Sequence, residues 1–156
     1  MSIVILCRNY APSLVTARKG NEMHGCDQSL WLIHDHVTEV GTMNFFVYWR
    51  NEEGVDELIT PPLDGTILPG ITRDSIIKLC MDLKEFKVSQ RPYKIHDLIR
   101  AVEENRVYEA FGAGTAAIIS PVKSFNYKGR TFDIPIDETH GAGPLSRRIL
   151  GMMNDL

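Results

Sequence analysis

Residues 39–73 decide how this chain is read: EVGTMNFFVYW (39–49), a charged connection RNEEGVD (50–56), then ELITPPLDGTILPGITR (57–73). Met43 to Trp49 is an apolar, β-prone run, and Glu39 sits just ahead of it. Turn residues at Asn51–Gly54 set off a second strand segment, Leu58 to Thr60. Leu68-Pro69-Gly70-Ile71-Thr72-Arg73 then opens an amphipathic stretch, Ser75 to Leu83, with helical spacing. The pattern puts one acid on a strand and a set of free backbone N–H groups at a helix start. Such a pair suits a ligand with a basic ring nitrogen at one end and a phosphate at the other.

Working outward, the chain has 156 residues and the length of one domain. Its 44% hydrophobic and 24% charged residues are ordinary for a globular protein. A net charge of −3 gives no reason to expect nucleic acid or an anionic membrane as partner. No apolar run approaches the roughly 20 residues of a membrane span. Cys7, Cys26 and Cys80 are odd in number and widely spaced, which suggests neither a disulfide framework nor a zinc knuckle. A reducing, cytoplasmic compartment fits, and a mitochondrial one stays open.

Residues 3–7 read as a short strand, and Asn9-Tyr10-Ala11-Pro12 as a turn into a helix that Gly25 closes. Ser29 to Ile33 reads as a buried strand, and His34-Asp35-His36 makes the turn into the strand bearing Glu39. The two histidines invite a metal reading, but no third ligand is evident, and a surface turn is the better account. Phe86 to Val88 is strand-like, and Ile95 to Asn105 has helical spacing with Glu103 and Glu104 on its polar face. Val107 to Phe111 and Ala116 to Val122 are apolar runs separated by the small-residue loop Gly112-Ala113-Gly114-Thr115. Lys128-Gly129 joins Ser124–Tyr127 to Thr131–Ile134 as a hairpin, and a helix over Leu145 to Met153 follows Gly143-Pro144. Alternating strands and helices predict a mixed α/β layer or irregular barrel.

The spacing of Glu39, Asn44, Phe45-Phe46, Leu58, Thr60, Leu68, Gly70, Ile71 and Arg73 resembles the signature of the class-IV, fold-type-IV pyridoxal-phosphate aminotransferases. TEVGTMN followed by TPPLDGTILPGITR is most similar to the branched-chain amino acid aminotransferases, and the likeness extends more loosely from Asn9-Tyr10 to Leu156. The resemblance implies an irregular β-barrel-like sheet with flanking helices, pyridoxal 5'-phosphate as cofactor, and amino-acid and 2-oxo-acid substrates. It also implies that these residues correspond to the C-terminal, cofactor-binding domain of such an enzyme.

By the same resemblance, Glu39 partners the pyridine nitrogen; read alone, it is a solvated acid at a strand end. Gly70 with Ile71 and Thr72 then receives the phosphate through main chain and hydroxyl, where a Pro-Gly helix cap is the plainer account. Thr115 adds phosphate contacts, and Thr115 with Ala116 offers N–H groups to the substrate carboxylate. Tyr10 matches the tyrosine that hydrogen-bonds the cofactor's ring oxygen, although a lone Tyr beside a Pro more often packs. The run Ala117-Ile118-Ile119-Ser120 stands where branched-chain members often carry a redox-active cysteine pair.

Three positions, Ile5, Cys7 and Arg8, depart from the pattern. The family's catalytic lysine lies five residues before the tyrosine, in Lys-x-Gly-Gly-Asn-Tyr; here the run is Ile5-Leu6-Cys7-Arg8-Asn9-Tyr10. Ile5 occupies the lysine position, and Lys19 is too far along the chain to replace it. Two expectations follow from different classes. One is a branched-chain aminotransferase family member impaired on its own. The other is a non-catalytic module that forms a homo-oligomer or pairs with a full-length subunit. A third, more distant reading is a small α/β domain that binds another phosphorylated ligand.

Overall fold

A computed structural model describes residues 26–155. The strand expected at 3–7 and the helix expected to close at Gly25 lie outside the described residues, as do Ile5, Arg8, Tyr10 and Lys19. β1 (Leu30–Ile33) and β2 (His36–Val40) form an antiparallel hairpin. Its turn residues His34 and Asp35 take left-handed φ values of 48° and 65°, as a two-residue hairpin turn requires. β3 (Met43–Arg50) and β4 (Asp56–Thr60) follow, joined through Asn51, whose side-chain oxygen accepts the Glu53 and Val55 N–H groups at 3.0 Å. After them come α1 (Ile71–Leu83), β5 (Lys87–Gln90), α2 (Ile95–Glu103) and β6 (Val107–Ala113). The last elements are β7 (Ser120–Pro121), the hairpin β8 (Ser124–Tyr127) with β9 (Arg130–Asp133), and α3 (Pro144–Asn154).

β1 to β7 form one mixed sheet, with β4–β5 its parallel pair. β3 is the spine, and its pairings fork. Asn44 pairs with Glu39 on β2 and with Ala113 on β6, whereas Val47 pairs with Ile59 on β4 and with Ala110 on β6. So β2 and β4 share one edge of β3 and part between Phe45 and Phe46. Thr60 Oγ1 donates to the Phe45 carbonyl at 2.8 Å and fills the parting. The sheet curls back on itself: Val37 N donates to the Tyr93 carbonyl at 3.1 Å beside the His36–Lys94 bridge. No continuous ladder closes it into a barrel among the described residues.

Alternation along β3 builds a core on both faces of the sheet. Phe45, Val47 and Trp49 pack beneath α2 and the β8–β9 hairpin, with Leu98, Phe125 and Phe132. Phe46 packs toward α1 and α3, with Ile76, Cys80 and Ile149. The rings of Phe46 and Phe111 stack at 5.2 Å between centroids. Full burial of such a side chain stabilises by roughly 1.5–3 kcal/mol. An ion pair between buried Glu57 and partly exposed Arg91 borders this core. Burial alone would raise the Glu57 carboxyl, but donors from Arg91, Ser89 and Trp49 outweigh it and hold the pKa at about 2.

Three expectations change. β1 is not a buried strand: among the described residues β2 is its single strand neighbour, and only Trp31 in it is buried. The run Ala116–Val122 forms a strand at Ser120–Pro121 alone; residues 115–118 bend, and Pro121 has no N–H for a ladder. Gly112 and Ala113 belong to β6 rather than to a loop. The bare Gly112 makes room there, since a Cβ would lie 2.8 Å from Met43 Cε and 2.9 Å from Val40 Cγ1.

Candidate functional site

The loop from Pro61 to Gly70 crosses the fork between β2 and β4 and returns to Glu39. Both ends of it are fastened. At the start, Arg73 Nη2 donates to the Pro61 carbonyl at 2.8 Å and to Gln90 Oε1 at 3.0 Å. At the end, Leu68 N donates to Glu39 Oε1 at 3.0 Å, while Asn44 Nδ2 donates to the Leu68 carbonyl at 2.9 Å. The Glu39 carboxylate therefore turns toward the corner from which α1 begins. Its Oε1 is occupied by Leu68 and Asn44, and Oε2 has no hydrogen-bond partner among the described residues. Burial pushes the Glu39 pKa above the ordinary carboxylate value, and the Leu68 N–H opposes that shift without cancelling it.

Gly70 is the N-cap of α1, with no side-chain cap of its own. The first helical bond runs from Asp74 N to the Gly70 carbonyl at 3.0 Å, which leaves the amides of Ile71, Thr72 and Arg73 ahead of the ladder. Those amides and the positive end of the helix dipole favour an anion. Arg73 adds a full charge: it is buried, its guanidinium bonds neutral oxygens, and Nε has no partner. Thr72 Oγ1 donates to the Gly114 carbonyl at 3.4 Å, a long bond that brings the 114–118 bend beside the helix start. Thr115 and Ala116 are exposed on that bend.

Glu39, Gly70, Ile71 and Thr72 thus lie along one hydrogen-bonded corner, with Thr115 and Ala116 in the bend next to it. Tyr10 lies outside the described residues. Asn44 and Arg73 were legible only as positions in a spacing pattern, and the structure gives them contacts. The space beside Gly70 goes to a side chain, for a Cβ there would run into Asn44 Oδ1. Among the described residues His34 and His36 gather no further ligand. Among the described residues there is no group of three or more His, Cys, Asp and Glu able to hold a metal ion.

A half-buried acid and an uncapped helix start stand together on a forked mixed α/β sheet. The model of one family, described as amino-transferase class IV, matches residues 7–125, and the chain belongs to that family. It is 54% identical over 142 residues to a branched-chain-amino-acid aminotransferase of Dictyostelium discoideum, an alignment covering 90% of this chain and 37% of the relative. It is 50% identical over 151 residues to the cytosolic enzyme of that name from Mus musculus, covering 95% of this chain and 38% of the relative. The chain thus spans well under half the length of these relatives. Among solved structures, the branched-chain amino acid aminotransferase of Escherichia coli superposes with a TM-score of 0.70 at 31% identity, over 95% of this chain and 43% of that one. Matching relatives include proteins named cytosolic and proteins named mitochondrial. Among the described residues no helix is long and apolar enough to cross a membrane.

Proposed function

We propose that the chain is the pyridoxal 5'-phosphate-binding domain of a branched-chain amino acid aminotransferase, an enzyme exchanging amino groups between Leu, Ile or Val and 2-oxoglutarate. One observation carries the reading: Leu68 N binds the Glu39 carboxylate while Gly70, two residues on, starts α1. Acid and amide donors are thereby fixed to each other. The residues present fit the cofactor. Glu39 Oε2, without a partner among the described residues, would take the ring nitrogen, and the amides of Ile71 and Thr72, with the hydroxyls of Thr72 and Thr115, would hold the phosphate.

When bound, the protonated pyridine ring withdraws electrons from the substrate Cα, and an anion beside the nitrogen keeps that proton in place. Glu39 supplies the anion, and the donors on its Oε1 keep it oriented. The Thr72 hydroxyl, held only by a long bond to the Gly114 carbonyl, would be available to the phosphate. The amides of Thr115 and Ala116 take the substrate carboxylate. Ile5, at the family's lysine position, has no amine to move a proton, so the chain alone turns over little or no substrate. Membership of the family sets the expectation of a reducing compartment, cytosolic or mitochondrial.

Titrating the purified chain with pyridoxal phosphate, ATP and inorganic phosphate tests this, with 2-oxo-acid formation from leucine followed in parallel. Binding of pyridoxal phosphate in preference to ATP, with negligible turnover, is expected. Equal affinity for ATP would leave only a generic phosphate site, and brisk turnover would overturn the role given to Ile5.

A second reading rests on exposure. Leu63, Leu68 and Ile71 are 53%, 46% and 86% exposed along the rim of the site. An apolar rim of this kind suits a module that pairs with itself or with a full-length subunit.

A further inference from the structure

Asn44 touches both ends of the candidate site. It lies on β3 in register with Glu39, is 5% exposed, and uses both hydrogens of its amide. Nδ2 donates to Glu39 Oε1 at 3.3 Å and to the Leu68 carbonyl at 2.9 Å. Oδ1 lies against the bare Cα of Gly70, the residue from which α1 starts. One short buried side chain therefore contacts the acid, the end of the loop and the helix cap.

We propose that Asn44 is a positioning residue that fixes the separation between Glu39 and the first amides of α1. It thereby selects a ligand whose ring nitrogen and phosphate stand one set distance apart. The ligand named rests on the cofactor reading above; the hold itself rests on geometry alone. Asn44 is suited to the task because its backbone is paired on both edges, with Glu39 and with Ala113. Its amide has no slack to follow a moving loop. Loss of the amide leaves Glu39 Oε1 with the Leu68 N–H alone, and leaves the Leu68 carbonyl with the Gly70 N–H alone at 2.9 Å. The corner then keeps its parts but not their spacing, and a ligand held at two ends gains from both only when they are pre-set.

Two variants of the full chain separate the hold from folding. Asn44→Ala removes the side chain. Asn44→Asp keeps its shape against Gly70 but turns an acceptor toward Glu39 and the Leu68 carbonyl. Hydrogen exchange at the Leu68 and Gly70 amides is expected to quicken by about ten-fold or more in both, as loss of a hydrogen bond to a charged group implies. Exchange at the paired amides of β3 and β6 stays as it was. In the same samples the affinity advantage of pyridoxal phosphate over pyridoxal, which lacks the phosphate, falls by about ten-fold or more. Unchanged exchange at Leu68 and Gly70 in both variants overturns the hold. Faster exchange with an unchanged affinity ratio overturns the positioning role and leaves Asn44 a folding residue. Should the unaltered chain bind no pyridoxal phosphate, the proposed function and the ligand named here both fall, and exchange still decides the hold.

Discussion

Burial holds the Glu39 carboxyl in a state that costs the fold once it is ionised. Burial raises its pKa above the ordinary carboxylate value against the opposing Leu68 N–H, so the folded chain binds that proton more tightly than the unfolded one. The stability this adds is full below the ordinary carboxylate pKa and is lost as pH rises through that value into the raised one. At neutral pH the ionised side chain is a net cost that Glu39→Gln removes. Thermal melts should show Glu39→Gln more stable than the unaltered chain at about pH 7 and equal to it below about pH 4. The same substitution should weaken pyridoxal phosphate binding by about ten-fold or more, the worth of a hydrogen bond to a charged group. A variant less stable at neutral pH would mean that the carboxylate supports the fold. The resemblance singled out Glu39, which read alone is a solvated strand-end acid, and it marked Asn44 only as a position in the same spacing. The Asn44 bond to the Leu68 carbonyl crosses 24 positions of sequence, so no local pattern shows it.

Among the elements, strand and hairpin centres followed the sequence closely and their ends did not. β3 was expected over Met43–Trp49 and runs Met43–Arg50, because its unbroken apolar run is buried on both faces. α1 begins at Ile71, directly after the Pro69-Gly70 pair read as its cap and ahead of the amphipathic stretch Ser75 to Leu83, and Arg73 anchors its first turn to Pro61 and Gln90. The start of α3 depends on a residue no local pattern points to. Buried Glu109 on β6 accepts Leu145 N at 2.8 Å, Ser146 N at 3.0 Å and Ser146 Oγ at 2.5 Å. A carboxylate so placed complements the helix dipole and satisfies two orphan amides. Glu109→Gln keeps the shape but removes the charge and sets an amide donor against those donors. Urea unfolding should show a loss of about 1.5–3 kcal/mol, with helix content falling before sheet content. A loss within about 0.5 kcal/mol would mean that packing of Leu145 and Ile149 alone seats the helix.

At the scale of the whole molecule, two apolar layers close over the sheet, yet the rim of the candidate site remains apolar and open. Leu63, Leu68 and Ile71 fall within nine residues of chain, on the loop over the fork and at the start of α1. Covering three such side chains is worth roughly 1.5–3 kcal/mol each, against an association cost of several kcal/mol. The balance favours weak, reversible association rather than a permanent complex. Sedimentation of the 17.6 kDa chain at increasing concentration should show reversible self-association. Mixing with an intact branched-chain aminotransferase should draw part of it into a larger species. Leu63→Ser combined with Ile71→Ser removes about 3 kcal/mol of burial and should weaken both associations by about a hundred-fold. The amide donors of α1 are main-chain groups and survive that change. Pyridoxal phosphate affinity in the double variant therefore reports whether association and ligand binding share more than a border. A monomer at every concentration, indifferent to the intact enzyme and to the substitutions, would show that this rim meets only water.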